Sequence, residues 1–155
     1  MKDYWARLRT TLPPDAIDDG DREIRQGGLG LLAVVAETWI SLGFGRPQII
    51  DSGDHGWSQF SKRDQIKVWS QVTWFGDDLY LLGVSDCSPD LRRMNWKRFR
   101  DEILVPFSET LRTDSRLTEV NWIDPDDIMD EGGAYSPSDP SLPVNRSKGF
   151  WIWRQ

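Results

Sequence analysis

The stretch Gln65–Val84, QIKVWSQVTWFGDDLYLLGV, decides the fold. Ile66, Val68, Val72 and Trp74 alternate with Lys67, Gln71 and Thr73, the two-residue period of a half-buried strand. Gly76-Asp77-Asp78 supplies turn chemistry and Leu79–Val84 is a second apolar run, so the stretch predicts a β-hairpin. The second run is apolar on both faces, which places it inside a sheet rather than at its edge.

On the N-terminal side, Leu29–Phe44 is apolar nearly all round and predicts a buried helix over 29–43, ended by Gly43 and Gly45 with Pro47 beyond. Gly27-Gly28-Leu29-Gly30 does not read as a phosphate loop, because no Lys-Ser/Thr pair follows it and no strand signal precedes it. Residues 3–12 place Tyr4, Trp5, Leu8 and Leu12 on one side and predict a short amphipathic helix that Pro13-Pro14 stops. Gln48-Ile49-Ile50 predicts a short strand, Asp51–Gly56 a turn-rich loop, and Trp57–Lys62 leads into the hairpin.

On the C-terminal side, Trp96, Phe99, Ile103, Phe107 and Leu111 fall on one face of a helix over 94–112, with Pro106 kinking or restarting it. Residues 118–123 predict a strand. Phe150-Trp151-Ile152-Trp153 is too apolar for a free tail and predicts a last strand over 149–154. The expected class is α+β: a mainly antiparallel sheet of about four or five strands (48–50, 65–75, 79–85, 118–123, 149–154) with helices packed mostly on one face. Its core should hold Leu32, Val35, Trp39, Ile66, Val68, Leu81, Phe99 and Ile103. Length predicts a single domain over 1–155, with a long acidic, Pro- and Ser-rich loop at 124–148.

The net charge of −6 argues against a nucleic-acid backbone as main partner and favours a basic protein partner. Cys87 is the one cysteine and His55 the one histidine, so neither a disulfide nor a Cys/His zinc site is expected, and no cofactor is implied. Asp124, Asp126, Asp127 and Asp130 lack the positional pattern of a calcium loop. The first residues lack the apolar run of a signal peptide, and no stretch reaches the ~18 uncharged apolar residues of a membrane span, so a cytoplasmic protein is expected.

Three readings of function follow. The leading one is a protein-binding module of the toxin-neutralising or immunity type. Its contact would be the acidic run Asp124, Asp126, Asp127, Asp130 and Glu131, with Tyr135 as an aromatic anchor. The alternative is a small hydrolase or transferase with His55 as general base oriented by Asp51 or Asp54, and with Cys87 as a nucleophile the same histidine would serve. The third is a domain that stacks a sugar or nucleobase on an exposed tryptophan such as Trp57 or Trp151. The bases at 92, 93, 97, 98 and 100 interleave with Met94, Trp96 and Phe99. Helical periodicity turns the aromatics inward and the bases outward, giving a charged face suited to the chain's own acidic loop rather than to RNA.

Overall fold

Backbone alternation builds a six-stranded antiparallel sheet in the computed structural model, which describes residues 3–18, 20, 23–25 and 27–123. The sheet strands are β1 (Asp3–Thr10), β4 (Gln48–Asp51), β5 (Trp57–Arg63), β6 (Ile66–Trp74), β7 (Leu79–Asp86) and β8 (Leu117–Trp122), in the order β4-β5-β6-β7-β1-β8. Two short strands, β2 (Ile17–Asp18) and β3 (Glu23–Arg25), pair separately. The helical elements are α1 (Leu29–Ser41), α2 (Trp96–Phe99), a π turn (Arg100–Leu104) and α3 (Val105–Arg112).

The expected hairpin is β6–β7, joined in register from Val68↔Asp86 to Trp74↔Tyr80. All of β7 is buried, as its two-sided apolar character requires. The expected helix over 3–12 is instead the strand β1, which lies between β7 and β8. Tyr4, Ala6, Leu8 and Thr10 point into the core while Trp5, Arg7 and Arg9 point to the other face. The spacing of Tyr4 and Leu8 fits both a helix and a strand, and Ala6 between them is what selects the strand. The sheet therefore has six strands rather than four or five, with β1 and β5 added. The expected strand over 149–154 lies outside the described residues.

Packing follows from which face each strand turns inward. α1 rests on β5 and β6, α3 rests on β8 and on α1, and all contribute to one main apolar cluster. Leu32, Val35, Trp39, Val68, Phe99 and Ile103 lie in that cluster as expected. Ile66 is only partly buried against it. Leu81 belongs to a small second cluster on the opposite face, with Leu79, Ile123 and Trp5, because its strand parity turns it away. The cluster is keyed by Trp39, which stacks on Phe107 at 4.0 Å, meets Phe44 edge-on at 5.0 Å and donates its Nε1–H to Ser70 Oγ at 2.9 Å.

Two local features explain sequence details. The glycine-rich start of α1 is held by Asp15, whose carboxylate accepts from Gly28 N and Gly30 N, both at 2.7 Å. This places a negative side chain at the positive end of the helix. Pro106 lacks the N–H that would continue the preceding helical ladder. The π turn before it absorbs the mismatch, with Val105 N donating to Arg100 O, and α3 restarts with Pro106 in its first turn. The two outer strands differ. Arg112 donates to the Val120 carbonyl of β8 at 3.3 Å, whereas all four residues of β4 are exposed, including Ile49 and Ile50.

Candidate functional site

His55 sits in a short 3-10 turn, Gly53–His55, between β4 and β5, and is exposed. The turn is built from local polar bonds. Asp51 Oδ1 accepts from Gly53 N at 2.9 Å, Ser52 and Ser58 share a hydroxyl contact of 2.6 Å, and the His55 carbonyl accepts from Thr73 Oγ1 at 2.6 Å. Gly56 closes it with φ +99°, and a Cβ there would lie 2.0 Å from the Val72 carbonyl oxygen. Asp51 is thus spent on the turn through one oxygen. Asp54 belongs to the same turn, so His55, Asp51 and Asp54 are neighbours in the chain and in the fold.

Cys87 is at the other end of the sheet. Its N–H donates to the Lys67 carbonyl at 2.8 Å, while His55 is tied to Thr73. Lys67 and Thr73 are separated along β6 by about 20 Å at ~3.3 Å per residue, so the structure does not bring Cys87 and His55 together. Burial, opposed in part by Lys67, holds the Cys87 thiol above its ordinary range, which works against a thiolate nucleophile. Trp57, the tryptophan considered for ligand stacking, is half-buried and packs against the main cluster. Asp124, Asp126, Asp127, Asp130, Glu131, Tyr135 and Trp151 lie outside the described residues.

Another constellation lies at the end of the sheet where β1 begins and β7 ends. There a cleft of about 280 Å³ is lined by Tyr4, Asp86, Arg93, Met94, Trp96 and Phe99. Asp86 shapes it. Its Oδ1 accepts from Ser88 N and its Oδ2 from Met94 N, both at 2.9 Å, so one buried carboxylate folds the 87–94 loop over the sheet edge. Tyr4 donates its hydroxyl to the Trp96 carbonyl at 3.1 Å and stacks on Phe99 at 5.6 Å. Burial pushes the Tyr4 phenol well above its ordinary range, so it is a neutral donor at any physiological pH. Asn95 caps the helix, its side chain accepting from Arg98 N at 2.8 Å.

Of the basic residues at the helix start, Arg93 lines the cleft. Arg93 pairs with Asp90 at 3.4 Å, Arg98 with Glu102 at 3.0 Å, and Arg100 with Asp101 at 3.0 Å while lying over the Trp96 ring. Arg92 and Lys97 are exposed and have no ion pair among the described residues. Leu91, between Asp90 and Arg92, is 97% exposed. The arrangement is a mainly hydrophobic slot with Arg93 and the buried Asp86 in its lining. It can hold an apolar side chain and attract the carboxylates beside it.

Sequence reading missed this cleft because Tyr4 was placed on a helix. The signals for its floor were present as Asp86-x-Ser88, an Asx-turn pattern, and Asn95-x-x-Arg98, an N-cap pattern. Among the described residues no three His, Cys, Asp or Glu side chains gather to hold a metal ion, and no helix is long and apolar enough to cross a membrane. Comparison with protein-family models and with curated proteins gives no match.

Proposed function

We propose that this chain is a non-enzymatic protein-binding module of the toxin-neutralising or immunity type, which covers a basic surface on its partner with residues 124–131. The observation that carries the reading is the charge of that stretch: Asp124, Asp126, Asp127, Asp130 and Glu131, with no base among them, directly after β8. Concentrated charge on one segment steers encounter with a cationic surface, and the attraction weakens as salt rises. Tyr135, a few residues on, is the aromatic anchor of the contact.

The test pairs the tagged chain with a variant in which the four aspartates become Asn and Glu131 becomes Gln. Both are used to capture proteins from native host lysate at low and high salt. The reading expects one basic protein held by the native chain, released by salt and lost with the variant. Equal retention by both chains refutes it.

A second reading, a small hydrolase or transferase, is favoured by the exposure of His55 in a turn that also carries Asp51 and Asp54. It requires that His55→Ala abolish an activity found by substrate screening while the unfolding midpoint stays unchanged.

A further inference from the structure

The cleft between Tyr4 and Trp96 has a size that selects its occupant. At about 280 Å³ it falls below the roughly 300–1,000 Å³ of pockets that enclose drug-sized ligands or cofactors, and it suits a single apolar side chain. Such a side chain stands beside it. Leu91 is 97% exposed in the Asp90–Arg92 turn, three residues before Met94 of the cleft lining, so the two Cα atoms lie within about 11 Å.

The turn that presents Leu91 is held on both sides. Asp86 accepts from Ser88 N and from Met94 N, Arg93 donates to the Ser88 carbonyl at 3.3 Å, and Arg92 N donates to the Pro89 carbonyl at 2.7 Å. A knob fixed in this way loses little freedom when it docks. Charge matches as well. Leu91 follows Asp90, whose carboxylate is exposed, and the cleft lining carries Arg93, which pairs with that same Asp90 within the chain at 3.4 Å. A second copy can remake the Asp90–Arg93 pair between chains while it buries its leucine. Docking then keeps the ion pair and removes apolar surface from water.

We propose that Leu91 of one copy of this chain fills the Tyr4–Trp96 cleft of a second copy and that the exchange is reciprocal. A surface with knob and slot side by side is self-complementary, and a two-fold axis satisfies both at once and closes the pair. The contact is small, so the pair forms reversibly and at raised concentration. The β4 edge takes no part in it.

Sedimentation velocity of the full chain from micromolar to millimolar concentration tests this, with 15N amide shifts followed over the same range. The native chain should show a monomer–dimer equilibrium, with concentration-dependent shifts centred on residues 86–99 and the start of β1. Leu91→Ser and Leu91→Asp should each weaken the dimer by about a hundredfold, since one substitution removes both leucine contacts. Their unfolding midpoints should match the native chain, because Leu91 has almost no contact within its own chain. A dimer that survives both substitutions, or shifts that centre on β4, overturns the proposal. So does a native chain that stays monomeric, which would leave the cleft to a side chain of another protein.

Discussion

Replacing Trp39 by Phe should cost about 3–5 kcal/mol, and the structure says how that cost divides. The indole is fully buried, and its Nε1–H is bonded to Ser70 Oγ inside the core. Phe removes three ring atoms, worth about 2 kcal/mol at roughly 0.8 kcal/mol per buried carbon-sized group. It also leaves the Ser70 hydroxyl buried beneath α1 without its partner, which adds about 1–3 kcal/mol. Ser70→Ala orphans the indole N–H instead and should cost about 1–3 kcal/mol by itself. The double variant loses both groups at once and buries no orphan. It should therefore be less destabilised than the sum of the single variants by about 2 kcal/mol or more. Urea unfolding followed by far-ultraviolet circular dichroism measures all four corners without relying on tryptophan emission, and equal m-values confirm that one transition is being compared. Strict additivity, or a Trp39→Phe cost below about 1 kcal/mol, would refute the assignment of this bond as the key between α1 and β6.

Other expectations follow from the turn, the helix seam and the thiol. Gly56→Ala should destabilise by about 2–5 kcal/mol, combining the positive φ with a methyl driven against the Val72 carbonyl, and a thermal melt within a degree of the native chain would contradict the close approach. Arg116 donates to Asp114 at 2.7 Å and to Glu37 at 2.5 Å, tying the end of α3 to α1, and its bonds hold the Asp114 carboxyl below the usual range. A depressed carboxylate contributes stability above its unfolded pKa and loses it as pH falls through its folded one. The difference between native chain and Asp114→Asn in urea midpoint should therefore be largest at neutral pH and shrink below about pH 4. A difference that grows on acidification would count against the bridge. Cys87, with its thiol held up by burial and its N–H tied to Lys67, should react with iodoacetamide at pH 7.5 more slowly than a free cysteine peptide. A rate above that of the peptide would restore its candidacy as a nucleophile.

The parts of the fold that were legible in the sequence are those where chemistry and period agree. Residues 66–74 and 79–86 announce a hairpin because apolar alternation and turn residues coincide, and α1 ends within two residues of its expected end at 43. β5 was not legible because its inward positions include Gln59 and Ser61, which are buried, so the hydrophobic alternation is missing where the strand is most enclosed. Gln59 Oε1 and Ser61 Oγ have no hydrogen-bond partner among the described residues, a cost the sequence pattern does not reveal. β1 was misplaced because Tyr4, Leu8 and Leu12 satisfy helical spacing, and only the neighbours a strand brings across the sheet, Val84 and Val120 among them, decide the matter. The site followed the same rule. The turn carrying His55 was readable from its composition, whereas the cleft needs Tyr4, Asp86 and Trp96 from three separate elements and exists only after β1 is correctly paired.

The unequal ends of the sheet set a limit on how copies of this protein can join. A ribbon that grows without end needs two different free edges, one to give and one to receive. Here the guanidinium of Arg112 already occupies a carbonyl of β8, while β4 offers open backbone and two exposed isoleucines. Among the described residues, joining through the β4 edge alone pairs β4 against β4, an arrangement related by a two-fold axis that consumes both of those edges at once. Joining of that kind stops at pairs, whereas a growing ribbon would also need the β8 edge, where Arg112 holds the Val120 carbonyl.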